Sequence, residues 1–322
     1  MQFFAYLLYS SFMKFIAQEN GRLDSAIVGQ DDQFSRSKIQ KLIKNGFVTV
    51  NAKMIKKTAF ILEAGDSVNF DETKLHEHTE SADIDSIDMH LEVLFEDDAV
   101  MVINKPSGIS VHPGHSMDAT EKTLLSGIRF LFEEKGIPFS ADAVLVHRLD
   151  KPTTGCICVA KNYNSYIDLQ KQFQKRTVKK FYLAIVAGVP EHATATIDAP
   201  IGRNATDRTK MSALKTSTSR EALTTYHVLD HVHDASLVRC DLHTGRTHQI
   251  RVHLSSIGHP ILGDDAYFSQ KSTSLTKQYA VANLCLHAEQ IIFTSPADNS
   301  EHTVEAPLPE TFLHTKKALD LL

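Results

Sequence analysis

The chain is poor in cysteine, with four in 322 residues, at Cys156, Cys158, Cys240 and Cys285. No pair has Cys-x-x-Cys spacing, so neither a zinc ribbon nor a dithiol redox motif is encoded. Cys156 and Cys158 would share one face of a strand, and all four read as small apolar core residues of a reducing compartment. Seventeen histidines are present, but none forms His-Glu-x-x-His. His248 and His253 are five apart and match one helical face poorly, so no metal site is expected. Long apolar runs are also missing. Residues 1–13 are apolar and aromatic, but too short to span a bilayer. They also lack the positive flank and small-residue cleavage site of a secretory signal. The expectation is a cytoplasmic protein with no membrane association, in which residues 1–21 form an N-terminal extension and Met13 offers a second start. There is no internal repeat and no low-complexity tract.

An apolar fraction of 42% is ordinary for a globular chain and permits a sizeable core. The net charge of −5 weighs against a nucleic-acid binder as an average, but its distribution matters more. In residues 22–57, Arg22, Arg36, Lys38, Lys41, Lys44, Lys53, Lys56 and Lys57 face only Asp24, Asp31 and Asp32. In residues 71–98 the sign reverses, with Lys74 the lone cation. A basic module (residues 22–70) is therefore followed by an acidic linker (71–90) and a large domain (91–322).

In the basic module, residues 22–27 can open a short helix and residues 35–46 read as a second. Ser37 and Gln40 fit a capping box and Gly46 suits the position after the helix. Ile39, Leu42 and Ile43 form one apolar face, which leaves Arg36, Lys38, Lys41 and Lys44 towards solvent. Residues 47–51 read as a strand, Ala64-Gly65-Asp66 as a turn, and residues 67–70 as a last strand. This order resembles an S4 RNA-binding domain, although that family usually has glycine where this chain has Ala52. The resemblance implies that the four cations contact RNA phosphates and shape, adding affinity but little base readout.

From Leu91 onward, strand signals dominate. Residues 91–95 and 99–103 flank Glu96-Asp97-Asp98 as a hairpin. Residues 156–160, 180–187, 194–201, 223–229, 236–242 and 286–293 read as further strands. Residues 162–176 read as a helix with Tyr166, Leu169 and Phe173 on one face. The pattern predicts an α+β fold, a large mixed and mainly antiparallel sheet with helices packed on it.

The run His147-Arg148-Leu149-Asp150-Lys151-Pro152-Thr153-Thr154-Gly155 places a carboxylate between cations at the mouth of a strand. Four other blocks accompany it. They are Asn104-Lys105-Pro106-Ser107-Gly108 with Val111-His112-Pro113-Gly114, the segment 180–188, the segment 244–253, and Gly258-His259-Pro260-Ile261-Leu262-Gly263-Asp264 with Tyr267. Together, in this order, they resemble the RluA-type pseudouridine synthases. The resemblance implies an isomerase that breaks the N1–C1′ bond of a uridine in structured RNA, turns the uracil and rejoins it through C5. No atoms enter or leave, so no cofactor is expected.

By match to the family's motifs, Asp150 is the catalytic carboxylate, as nucleophile or base. Burial would tend to protonate such a group, and a neighbouring guanidinium would keep it charged. A helix starting near Thr247 would leave Arg251 off its apolar stripe and free to face the site. Arg251 also matches the family's partner of the aspartate, the alternative being an ordinary surface arginine. Tyr182 matches the active-site tyrosine. With an ordinary pKa of ~10 it is better suited to stacking on uracil than to unaided base work, and a plain core tyrosine is the alternative. The target base must be flipped out. Arg148 matches the residue that fills the vacated space, or else forms a second salt bridge to Asp150. Arg246, at a turn, suits a phosphate contact, and His248 beside it joins the RNA-contacting set. The architecture implies a monomer acting on 23S ribosomal RNA, with tRNA as the second choice. A non-catalytic ribosome-assembly factor and a metal-dependent hydrolase are the rivals from other classes.

Overall fold

The apolar stripe Ile39, Leu42 and Ile43 is buried, and around it forms the first of two units, Met1–Ala82 and Asp83–Leu322. The structure is a computed structural model. It describes residues 12–30, 36–71, 84–112, 122–207, 209–216 and 219–322. Pro113 and Gly114 of the first motif block, and positions 72–83 of the acidic linker, lie outside the described residues.

The small unit runs β1 (Phe12–Ile16), β2 (Gly21–Arg22), α1 (Leu23–Val28), α2 (Arg36–Lys44), β3 (Val48–Val50), β4 (Lys53–Met54), β5 (Ile61–Leu62) and β6 (Ser67–Asp71). Its main sheet has the order β1-β6-β3-β4, and β2 pairs with β5. The sheet begins ten residues before the expected module boundary at residue 22. Phe12 to Ile16 pair antiparallel with β6, so this part of the expected extension is a strand. Beneath the sheet, Leu23, Ile27, Ile39, Ile43, Val48, Leu62, Val68 and Phe70 are fully buried.

One buried acid joins the two helices. Asp24 accepts two bonds from Arg22, at 2.9 Å each, one from Arg36 at 3.2 Å and one from Gln40 at 2.7 Å. The Arg22 bonds lead in holding its carboxyl well below the usual range. This corrects two expectations. Gln40 reaches Asp24 instead of closing a capping box, and Ser37 lies inside the first turn because α2 already starts at Arg36. Arg36 is half exposed and tied to Asp24. Lys41 and Lys44 are exposed, and the side chain of Lys38 lies outside the described residues. The C-terminus of α2 behaves as expected. Gly46 takes φ +81°, its N–H bonds Ile43 O, and Phe47 N–H bonds Leu42 O.

The large unit contains β7 (Glu92–Glu96), β8 (Val100–Lys105), α3 (Leu124–Glu134), β9 (Thr154–Ala160), α4 (Tyr163–Lys175), β10 (Lys179–Ala187), β11 (Thr194–Asp198), β12 (Gly202–Arg203), β13 (Met211–Ser212), β14 (Leu223–Val232), β15 (Ala235–Leu242), α5 (Gln249–Ser256), α6 (Gln270–Gln278), β16 (Leu286–Thr294), β17 (Glu301–Glu305) and α7 (Glu310–Ala318). Its sheet runs β11-β14-β15-β10-β16-β9-β8-β7, with β17 also on β16. The β9–β16 pair is parallel and the other pairs of the sheet are antiparallel. This is the mixed, mainly antiparallel α+β architecture that the strand pattern predicts.

Alternation along β8 and β9 sends side chains to two cores. Met101, Ile103, Ile157 and Val159 join one, with Leu124, Ile128 and Phe132 of α3. Val100, Val102, Cys156 and Cys158 join the other, with Tyr166 and Leu169 of α4. The cysteines are thus core residues on one face, and all four are buried and unpaired. The end of the expected linker belongs to this unit. Ile84 and Met89 pack on its core, and Arg129 donates to Ile84 O at 2.7 Å. Among the described residues, no helix is long and apolar enough to cross a membrane.

The β3–β4 hairpin turns at Asn51 and Ala52, both left-handed at φ 50° and 63°. Asn51 suits this and bonds Asp66 and Ser67, whereas alanine in that region is strained. Ala52→Gly should therefore stabilise the protein by about 1 kcal/mol after the added unfolded-state freedom is subtracted. Calorimetry checks this: an unchanged or lower melting temperature would show that the turn is unstrained.

Candidate active site

Asp150 sits on the loop leading into β9, and this loop is held from two sides. On one side is the turn after β8. Gly108 N–H donates to Lys151 O at 2.9 Å and the Ser107 hydroxyl to Pro152 O at 3.0 Å. The fully buried Lys105 donates to Pro106 O at 2.8 Å and Lys151 O at 3.0 Å. On the other side, His147 stacks on Phe173 with ring centroids 4.7 Å apart, and its Nε2 accepts from Cys158 N–H at 2.8 Å. Burial, helped by Lys180, pushes His147 down to about 3, so the ring stays neutral and can accept. Gly155, at φ +103°, lets β9 lie against β16, because a side chain there would run into the Ala288 carbonyl. A tight turn from Asp150 O to Thr153 N–H, 3.0 Å, completes the loop. The buried Thr153 hydroxyl has no hydrogen-bond partner among the described residues.

Arg251 comes from α5. The loop ahead of that helix is braced by the buried Gln249. Its side chain accepts from Thr244 Oγ1 and Arg246 N–H and donates to Leu223 O and Thr224 Oγ1. The helix begins at Gln249, two residues later than the expected start near Thr247, after His248 in a left-handed conformation. Arg251 is 4% exposed. Its Nε and Nη2 each lie 2.8 Å from Asp264, and its Nη1 lies 3.4 Å from Asp150. Arg251 thus faces the site and pairs with Asp150, and its burial rules out the surface arginine that was the alternative; its shorter bonds go to Asp264, a partner the sequence does not indicate. Burial alone would weaken the guanidinium's hold on its proton, but the Asp264 bonds, with Asp150 behind them, push its pKa up.

Asp150, Tyr182 and Arg251 line one cleft of about 480 Å³, together with Arg148, Arg246 and His248. Tyr182 is buried on β10. Burial first and the charge of Asp150 second push its phenol up, which disfavours a phenolate. Arg148 is exposed and makes no ion pair to Asp150 among the described residues, so the second salt bridge considered from sequence is absent there. Arg246 spends its Nε on Glu221 O at 3.0 Å, and the Nδ1 of His248 meets the Tyr267 hydroxyl at 2.8 Å. Arg36, Lys38, Lys41 and Lys44 belong to the other unit.

Lys180 and Arg176 of the cleft wall, and Lys105 and Asp264 outside its lining, carry no role assigned from the sequence. Lys180 and Arg176 add positive charge, and burial pulls Lys180 down to about 8. Lys105 and Asp264 both lie within the five motif blocks, and that was the only available signal. Their partners are 46 and 13 positions away.

Burial pulls Lys105 down to about 7, against an opposing pull from Asp150. The unfolded chain keeps the ordinary value of ~10.4. Between these limits the unfolded state binds the extra proton, so stability rises with pH from about 7 towards about 10 and is lost as pH falls through the folded value. The slope is at most ~1.4 kcal/mol per pH unit. Urea unfolding at pH 7 and pH 9 should show the wild type gaining on Lys105→Met. Parallel behaviour of the two proteins would show that Lys105 stays charged.

Comparison with known proteins points to one family. The RNA pseudouridylate synthase family matches residues 99–256, and the S4 domain matches residues 33–68. The chain is 37% identical to the uncharacterized RNA pseudouridine synthase YlyB of Bacillus subtilis, over 91% of this chain and 92% of that one. It is 39% identical to ribosomal large subunit pseudouridine synthase D of Nitrosomonas europaea, over 90% and 81%. Among solved structures, human RNA pseudouridylate synthase domain containing 4 superposes with a TM-score of 0.57 at 29% identity, covering 71% of this chain and 92% of that one. With three of the five motif blocks lining one cleft and relatives matched over most of their length, the chain belongs to the RluA-type RNA pseudouridine synthases, isomerases that act on RNA, and carries an S4 domain ahead of the catalytic unit.

Proposed function

We propose that this enzyme isomerises specific uridines of large-subunit ribosomal RNA and that Asp150 is the carboxylate that acts at the sugar. The observation that carries this reading is the convergence of Asp150, Tyr182 and Arg251 on one cleft from three separate segments of chain. The ribosomal assignment rests on relatives named ribosomal large subunit pseudouridine synthase D.

In this reading a flipped-out uridine enters the cleft with C1′ and C2′ against Asp150. The carboxylate attacks C1′ or takes the C2′ proton while the N1–C1′ bond breaks. Arg251 supplies positive charge beside it. Tyr182 packs on the detached uracil as a neutral phenol. Its raised pKa argues against a free base; as a relay, its hydroxyl oxygen would accept the proton leaving C5 while its own proton passes on to solvent. Arg148 fills the space that the base leaves in the RNA stack. Arg246 and His248 hold the backbone near the cleft, and Arg36, Lys38, Lys41 and Lys44 of the S4 domain add sequence-independent phosphate contacts. No step takes up or releases atoms of a co-substrate.

The test is tritium release from RNA labelled at C5 of uridine, with large-subunit ribosomal RNA and tRNA compared side by side. Ribosomal RNA should release more. Asp150→Asn should lower the rate by ~10³-fold or more while RNA affinity stays within about twofold. Isomerisation by Asp150→Asn would exclude Asp150, and greater release from tRNA would replace the substrate. RNA binding by the wild type without release from either RNA would favour a ribosome-assembly role.

A further inference from the structure

One guanidinium at the cleft has three carboxylates within ion-pair distance, and the arrangement is unequal: the exposed Asp265 is the most distant, 3.8 Å from Nη2. Asp264 holds Arg251 through two parallel bonds of 2.8 Å, Nε to Oδ2 and Nη2 to Oδ1. Asp150 receives only Nη1, at 3.4 Å, the long edge of hydrogen-bond range. A bidentate arginine–carboxylate fork is the stronger and more directional geometry. Asp264 therefore dictates where the guanidinium lies.

Asp264 is itself held rigidly. Its side chain is 1% exposed, and Oδ1 also accepts the N–H groups of Ala266, at 2.9 Å, and Tyr267, at 3.0 Å. The preceding Gly263 takes φ +76° against the Asn283 carbonyl. Leu262 before it donates its N–H to Ile185 O on β10 and accepts from Cys285 N–H, at 2.9 Å each. The turn carrying Asp264 is thus fixed to the strand that carries Tyr182. Beneath the guanidinium lies the ring of Tyr267, centroid at 5.2 Å, whose hydroxyl accepts from Met211 N–H at 2.7 Å. Arg251 is clamped in plane by Asp264 and from below by Tyr267.

Without Asp264, the same fork would be free to close on Asp150. A bidentate pair there would engage both carboxylate oxygens, draw their charge towards the guanidinium and leave neither unengaged for a sugar carbon or its proton. We propose that Asp264 is a positioning residue for the isomerisation: it holds Arg251 back, so that Asp150 gains a neighbouring positive charge through one long contact and keeps an oxygen free for substrate. This rests on the reading above that Asp150 acts at the sugar.

The test is a cycle of Asp264→Asn, Arg251→Met and the double variant, with single-turnover kcat, KM and RNA affinity measured for each and Asp150→Asn run alongside. Asparagine keeps the size of Asp264 and an acceptor for its own turn, but loses the charge and one arm of the fork. Asp264→Asn should lower kcat roughly 10- to 100-fold, with KM and RNA affinity within about twofold. In the Arg251→Met background it should cost nothing further, because the group through which it acts is gone. Wild-type kcat in Asp264→Asn, or a double variant whose losses multiply, would overturn the proposal. Should Asp264→Asn not fold, Arg251→Met against the double variant still decides, since the double variant leaves neither buried charge unpaired. An active Asp150→Asn would instead point to a failure of the underlying functional reading.

Discussion

A buried guanidinium shared by Asp264 and Asp150 organises the catalytic unit. Taking Arg251 out of water costs several kcal/mol unless its donors are met, and they are met by groups from segments far apart in the chain. Asp264 follows a glycine turn fixed to β10, and Asp150 lies on the loop into β9. The charge balance can be satisfied only when β9, β10 and α5 are all in place. The interaction is thus a poor source of net stability, but it ties the site's geometry to completion of the sheet.

The small unit uses the same device on a smaller scale. Asp24, fully buried, takes four hydrogen bonds from Arg22, Arg36 and Gln40, and so locks α1 against α2. The basic helix is therefore not uniformly available to RNA. Arg36 is partly spent on structure, whereas Lys41 and Lys44 are exposed. In both units a carboxylate hidden from solvent fixes an arginine.

The loop that carries Asp150 is immobilised by unusual means. A buried lysine bonds two backbone carbonyls, and a neutral histidine accepts from a strand N–H. Both groups are shifted by desolvation towards their uncharged forms. A reacting carboxylate needs rigid support, and here most of that support is backbone held by side chains from neighbouring elements.

Much of the architecture was legible because periodicity is local. The expected strands near residues 180–187, 223–229, 236–242 and 286–293 agree with β10, β14, β15 and β16 to within one to three residues. Asn162 caps α4, with Tyr166 and Leu169 buried as expected. Other elements were not legible. Helix α6 is mostly Ser, Thr, Lys and Gln, and it is held by the Ser269–Ser272 capping box and buried Leu275. Strand β1 looked like part of an apolar tail until β6 supplied its partner. At the site, motif order alone carried Asp150, Tyr182 and Arg251 to one cleft. Residue types and their order along the chain determined the chemistry, the family and the periodic elements. Only the folded protein decided that Asp264 holds Arg251 more tightly than Asp150 does, because a guanidinium's partners are chosen by distances and burial across separate segments.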